Sequence, residues 1–331
     1  MIKILELFGG IGSPRKALIN LGVDHKAIDY VEIDEKAVRA YNALYDNKYQ
    51  PQSVIDYDLC PDVLVHGSPC QDFSRSGQRL GGKDEDKTRS SLMWETLRII
   101  ENMGVWKPKT IIWENVKGVL DKDNIDTFNK YLRKLSDLGY TNSFSVLNAM
   151  DFGVPQRRER IFIISMADGS SFDFSKLRTR STRHISEFLE KDVTEEKYMI
   201  QVPSMLSRIE EFNPGTASKY RYLDVIEDSC WTISTRQDRC PNAGIIRLDG
   251  PQYRYLTERE CWRLMGFEDS DYEEVLREYP TKPNRKNATI YKLAGNSIVV
   301  QVLEAIFEVL LDKDFDKDYI TEDCGQLQMV Y

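Results

Sequence analysis

Only three histidines occur among the 331 residues, and none of the six cysteines forms a Cys-x-x-Cys pair. A structural zinc site needs clustered sulfur and imidazole ligands, and a disulfide framework needs a short, cysteine-dense chain, so neither is expected. A positive excess is missing too: 53 acidic residues face 45 lysines and arginines, a net charge of −8. That excludes a protein that coats nucleic acid by bulk charge, because phosphates must be neutralised by Lys and Arg at the contact. No apolar run approaches the length of a membrane crossing, and Met1-Ile2-Lys3-Ile4-Leu5-Glu6 enters a strand pattern at once. No internal repeats are seen, and a cytoplasmic location is the expectation.

The charge is unevenly spread. Residues 312–323 hold six acids against two lysines, whereas Lys176, Arg178, Arg180 and Arg183 cluster, and Arg236, Arg239 and Arg247 follow. Localised basic surface is therefore available, although a solvated face accounts for any one cluster equally well. Over residues 1–165, short apolar runs alternate with helical patterns: Ile2 to Phe8, Ala27 to Ile33, Val63 to Val65, Thr110 to Trp113, Ser143 to Leu147 and Ile161 to Ile164. This rhythm predicts an α/β fold built on a doubly wound mixed sheet. Ile125, Phe128, Leu132, Leu135 and Leu138 repeat at helical spacing, with Gly139 as a stop. From about 166 the rhythm gives way to serine-rich, basic, turn-rich sequence. A second, smaller domain is expected over 166–285, with 286–331 returning to the first. Thr257-Glu258-Arg259-Glu260 predicts a capping box before a short helix ending near Gly266. Ile298, Val302, Ala305, Ile306, Val309 and Leu310 predict an amphipathic helix.

The first strand runs into Phe8-Gly9-Gly10-Ile11-Gly12-Ser13, a turn where bare backbone can approach a ligand. Its spacing is not the G-x-G-x-x-G of dinucleotide enzymes. Glu32, at the end of the second apolar run, offers a carboxylate to ribose hydroxyls, so a nucleoside-containing ligand is the functional reading and a solvent-exposed acid the bland one. After Val63-Leu64-Val65 comes Gly67-Ser68-Pro69-Cys70-Gln71-Asp72-Phe73-Ser74, which fixes a thiol at the carboxyl end of a strand. The polar, glycine-rich stretch 74–82 reads as a loop able to close over a substrate. Glu114 and Asn115 end another strand, and Gln156-Arg157-Arg158-Glu159-Arg160 begins one. Alternation along a strand predicts that Gln156, Arg158 and Arg160 point together into one site, with a salt-bridged strand start as the alternative.

In this order, Phe8-Gly9-Gly10-Ile11-Gly12, Gly67-Ser68-Pro69-Cys70-Gln71, Glu114-Asn115-Val116 and Gln156-x-Arg158-x-Arg160 resemble the DNA cytosine-5 methyltransferase family. Arg254-Tyr255-Leu256-Thr257-Glu258-Arg259-Glu260, Arg263-Leu264-Met265-Gly266-Phe267 and Gly295-Asn296-Ser297-Ile298 extend the likeness over nearly the whole chain. The resemblance implies a Rossmann-like fold of prokaryotic or phage type. It implies S-adenosylmethionine near Phe8, Gly10, Ile11, Gly12, Glu32, Ile33, Gly67, Pro69, Leu92, Asn296, Ser297 and Ile298. The family usually carries an Asp before an apolar residue in its third element; this chain has Ser53-Val54 there, with Asp56 nearby. Cys70 is then the nucleophile, Glu114 the group at the Watson–Crick edge of the cytosine, and Arg158 and Arg160 its steadying cations.

The resemblance further implies double-stranded DNA as partner, with Gln71, Ser74, Ser76 and Gln78 on the closing loop and Thr232, Arg236, Gln237 and Arg239 in a target-recognition domain. A monomer, and a restriction endonuclease acting separately, complete the expectation. Three alternatives stay open: an RNA cytosine-5 methyltransferase on the same scaffold, a catalytically silent DNA-binding module, and a nicotinamide oxidoreductase. Intact Cys70, Glu114, Arg158 and Arg160 weigh against the second.

Overall fold

The computed structural model describes residues 1–55, 57, 59, 61–68, 92–209 and 222–312. The chain runs β1 (Ile2–Leu7), α1 (Ser13–Asn20), β2 (His25–Val31), α2 (Glu35–Tyr45), β3 (Val63–His66), α3 (Met93–Met103), β4 (Thr110–Val116), α4 (Ile125–Asp137), β5 (Thr141–Asn148), β6 (Gln156–Arg157) and β7 (Glu159–Met166). Beyond these come α5 (Pro203–Leu206), β8 (Cys230–Trp231), β9 (Ile246–Arg247), β10 (Tyr253–Arg254), α6 (Glu258–Arg263), α7 (Asp269–Glu278), α8 (Ala288–Asn296) and α9 (Val300–Asp312).

The apolar runs of the first half become one six-stranded sheet of order β2-β1-β3-β4-β7-β5. β1 to β4 pair in parallel, and β7 lies antiparallel to both β4 and β5. Because successive strand residues face opposite ways, each strand supplies two cores. Ile112, Phe162 and Ile164 join Ala17 and Leu18 of α1 and the apolar stripe of α9 on one face. Ile111, Trp113, Ile161 and Ile163 pack with Leu97 and Ile100 of α3 and Phe128 and Leu135 of α4 on the other. α4 stops at its predicted place, with Gly139 at φ 87°.

Among the described residues after β7, the strands are two residues long. β9 pairs antiparallel with β10, and β6 pairs in parallel with β8. The capping box at α6 is formed: Thr257 Oγ1 accepts from Glu260 N at 3.1 Å, and the Glu260 carboxylate accepts from Thr257 N at 2.8 Å. Ion pairs from Lys16 to Glu268 and Asp271 tie α1 to α7, and Asn20 donates to Glu304 on α9 at 2.7 Å. The expectation that no stretch is apolar enough for a membrane crossing needs correction. Ala288–Leu311 passes on length and composition, because α8 and α9 follow closely, yet 72% of its most apolar 18-residue window is buried inside the protein.

Candidate active site

The carboxyl ends of β1 and β2 form one side of the site. The turn after β1 carries positive φ at Phe8 (56°), Gly10 (55°) and Gly12 (75°). Gly12 tolerates no side chain, since a Cβ there would lie 2.5 Å from the Tyr41 ring and 2.6 Å from Tyr45. Those rings belong to a tyrosine cluster behind the turn: Tyr30 stacks on Tyr41 at 3.8 Å, and Tyr45 meets Tyr41 edge-on at 4.7 Å. The Tyr30 hydroxyl donates to Gly10 O at 2.6 Å, and the Tyr45 hydroxyl donates to Gly12 O at 2.8 Å and Ile11 O at 3.2 Å. Three consecutive carbonyls are thus held from behind. Beneath them the buried Glu6 accepts from the Tyr41 hydroxyl at 2.9 Å. Burial lifts its carboxyl to about 7, against the lowering pull of Tyr41 and Arg15.

Glu32 reaches the same turn. Its carboxylate accepts from Ile33 N at 2.8 Å, Asp34 N at 2.9 Å and Gly10 N at 3.2 Å, which lowers a pKa that burial nonetheless raises. Gln52 N donates to Glu32 O at 2.9 Å, so Ser53 and Val54 lie beside it. Ser53 Oγ accepts from Ile55 N at 3.1 Å. Ile33 and Ile55 are 73% and 54% exposed, and apolar side chains left in water beside an anchored carboxylate suit the flat faces and hydroxyls of a nucleoside.

The ends of β3 and β4 form the other side. Ser68 O and Oγ accept from Asn115 Nδ2 and Trp113 Nε1, at 3.3 and 3.2 Å, fastening the approach to Cys70. A Cβ on Gly67 would stand 3.6 Å from Glu114 Oε2, so the Glu114 carboxylate lies directly against this approach. Its side chain is 12% exposed and pairs with Arg160 Nε at 3.2 Å. Burial raises the Glu114 pKa more than Arg160 and Arg158 lower it. Pro69, Cys70, Gln71, Ser74, Ser76 and Gln78 lie outside the described residues, and Leu92 is half-buried where they resume.

The expected common face of Gln156, Arg158 and Arg160 is not observed. The chain breaks step between β6 and β7, with Arg158 N donating to Gln156 O at 2.8 Å, so alternation does not carry across. Gln156 is buried, donating to Leu264 O at 2.8 Å and accepting from Ile233 N at 3.0 Å. Arg158 is also buried and donates to Ile233 O at 3.1 Å, Gly295 O at 3.2 Å and Ser297 O at 2.7 Å. It pins the segment Gly295-Asn296-Ser297-Ile298 to the strand region after β8. Gly295 must lack a side chain, because a Cβ would fall 2.4 Å from Thr235 N. Within that segment Asn296 is exposed, Ser297 buried and Ile298 half-buried. Arg160 pairs directly with Glu114, and the charge of Arg158 also acts on that carboxylate.

Of the recognition residues, Thr232 donates to Arg157 O at 2.9 Å, and Arg236 and Arg239 are exposed on a turn. Gln237 is buried, its side-chain oxygen accepting from Ala243 N at 3.2 Å, so it holds that turn rather than facing outward. The first basic cluster is partly engaged within the protein: Arg180 pairs with Glu304 and Glu308, and Arg183 with Glu187. Sequence reasoning missed the tyrosines. Tyr41 and Tyr45, one helical turn apart on α2, are their only local signal.

Residues 2–312 match the family model described as C-5 cytosine-specific DNA methylase. The chain is 30% identical to type II methyltransferase M2.ScrFI of Lactococcus lactis subsp. cremoris, covering 94% of this chain and 99% of that one. It is 32% identical to type II methyltransferase M.NgoBI of Neisseria gonorrhoeae, with 92% of each covered. The S. pombe Dnmt2 methyltransferase structure superposes with a TM-score of 0.72 over 94% of this chain and 99% of that one, at 23% identity. The chain therefore belongs to the C-5 cytosine-specific DNA methylase family and is a methyltransferase of cytosine in DNA.

Proposed function

We propose that the protein transfers a methyl group from S-adenosylmethionine to carbon 5 of a flipped-out cytosine in a specific double-stranded DNA sequence, through a covalent adduct with Cys70. The observation that carries this reading is the half-buried Glu114–Arg160 pair set against Gly67, at the approach to Cys70. When bound, S-adenosylmethionine supplies an electrophilic sulfonium methyl. Glu32, with Phe8, Gly10, Ile11, Gly12, Ile33, Ser53, Val54, Gly67, Pro69, Leu92, Asn296, Ser297 and Ile298, would hold it; the anchored carboxylate and exposed isoleucines fit such a group.

Carbon 5 is too poor a nucleophile to take a methyl unaided. The Cys70 thiolate adds to carbon 6, which pushes electron density onto carbon 5. Glu114 shares a proton with ring nitrogen 3 as negative charge develops there; its raised pKa suits a carboxyl that must hold a proton. Arg160 steadies Glu114 and the base oxygen, while Arg158 acts through the segment it pins. After methyl transfer a base takes the carbon 5 proton, the electrons of that C–H bond re-form the double bond to carbon 6, and the C–S bond breaks to release Cys70 as thiolate. Flipping costs a few kcal/mol, which the loop after Cys70 would offset, with Ser76 or Gln78 filling the vacated space and Gln71 and Ser74 also meeting the DNA. Thr232, Arg236 and Arg239 within 166–285 face the recognised sequence. The protein acts as a cytoplasmic monomer, with any cognate restriction endonuclease a separate chain.

Expression in a methylation-free bacterium with bisulfite mapping tests the reading: modified cytosines within one sequence are expected, and none with Cys70→Ala. That variant should still bind duplex DNA and S-adenosylhomocysteine. Substantial turnover by Cys70→Ala, or methylation of transfer RNA in place of duplex DNA, overturns it.

A further inference from the structure

Next to the Glu114–Arg160 pair, a cavity of about 700 Å³ is lined by Val116, Lys117, Asn148, Arg157, Trp231 and Thr232, with Arg160 in its wall. Sites for small organic groups span roughly 300–1,000 Å³, so it has room for a nucleotide. Trp231 is 39% exposed, although a large aromatic side chain is ordinarily driven inward. Its position is fixed by the backbone. In the β6–β8 pair Arg157 stands opposite Trp231, Trp231 N donates to Ala243 O at 2.9 Å, and Thr232 ties back to Arg157 O. The Arg157 guanidinium lies 5.0 Å from the Trp231 ring centroid, and its Nε donates to Ser229 Oγ at 3.3 Å. An indole held in this way beside a cation, on the wall of a cavity, is an arrangement for stacking.

The charge of the wall agrees. Lys117, Arg157 and Arg160 outnumber Asp121 and Glu159. The Lys117–Glu159 pair, 3.1 Å long, has both side chains more than half exposed, so it is weak and a phosphate can displace its carboxylate. We infer that Trp231, braced by Arg157, is a stacking platform for one base of the DNA adjacent to the target cytosine, with Arg157 also meeting that nucleotide's phosphate. This rests on the reading of the site as a DNA methyltransferase centre, and it adds two positioning residues, Arg157 and Trp231, for the substrate strand.

The experiment measures affinity for a fluorescein-labelled duplex that carries the sequence found by bisulfite mapping, across a salt series, with S-adenosylhomocysteine binding by calorimetry as the fold control. Trp231→Leu keeps apolar bulk without a π face and should weaken the duplex roughly tenfold, at the lower end of base–aromatic stacking, with an unchanged salt slope. Trp231→Phe should stay within about threefold of wild type, because every base stacks on any aromatic face. Arg157→Gln should shallow the slope of log affinity against log salt by about one. DNA should quench wild-type tryptophan emission more than that of Trp231→Phe, a readout that serves if the leucine variant fails to fold. Trp231→Leu binding within twofold of wild type, Trp231→Phe binding as weakly as Trp231→Leu, or equal quenching overturns the inference alone. A wild-type protein that binds no duplex overturns it together with the proposed function.

Discussion

At the carboxyl ends of β1 to β4, polar side chains serve the loops that surround the site: tyrosines hold the glycine turn, Glu32 its own backbone, and Trp113 and Asn115 the approach to Cys70. Between residues 156 and 255 similar residue types divide into two fates. Arg158, Gln156, Gln237 and Arg254 are buried and bonded to protein, whereas Arg157, Arg236, Arg239 and Arg247 are exposed. The first region is set by the ends of a long sheet. Beyond β7, the described strands of the second are two residues long, so buried side chains supply the cohesion that backbone ladders supply elsewhere. Burial, not residue type, decides whether an arginine can meet DNA.

Removing the chief fastener of the second region should break this contrast most strongly. Arg158→Ala leaves three carbonyls without their buried donor and should destabilise the protein by about 3–5 kcal/mol, measured by denaturant unfolding. A loss below about 1 kcal/mol would mean that the segment around Ser297 is held by something else.

In the first region the largest effect concerns Glu6. A folded-state pKa raised from 4.5 to about 7 favours the neutral form. Its contribution is fully present below pH 4.5 and is lost as pH rises through 7, a change of about 3 kcal/mol. Glu6→Gln does not titrate, so its stability relative to wild type should improve between pH 5 and pH 8. A constant difference would show that Glu6 does not change charge there.

Tyr30→Phe and Tyr140→Phe sharpen the comparison inside the first region. Each deletes one hydroxyl donating at 2.6 Å to a carbonyl, Gly10 O or Pro108 O, and each should cost about 1 kcal/mol of stability. Only Tyr30→Phe should weaken S-adenosylhomocysteine in calorimetry, because Gly10, unlike Pro108, belongs to the turn proposed to hold the cofactor. The smallest effect is expected at Arg180→Ala. Its partly exposed pairs with Glu304 and Glu308 are worth under about 1 kcal/mol, and methylation should be unchanged if Arg180 serves α9 alone.

Much of the sheet was legible. The six apolar runs became its strands, α4 and the capping box of α6 formed where their spacing placed them, and the glycine turn needed the positive φ that only such residues accept freely. The shared face of Gln156, Arg158 and Arg160 was not legible, because a two-residue strand and a break in step look like one continuous strand until its partners are known. Nor was the burial of Gln237, whose place inside its turn depends on Ala243 N.

The amino-acid sequence by itself determined the family and the α/β order and singled out candidate residues for the chemistry, because these rest on short-range spacing and residue type. Tertiary structure alone decided which of those residues face one another. Glu114 meets Arg160 because β7 runs antiparallel to β4, and Arg158 holds the segment around Ser297. The glycine turn leans on tyrosines contributed by β2 and α2. Such contacts join positions far apart in the chain, and only the packing of the sheet and its helices brings them within reach.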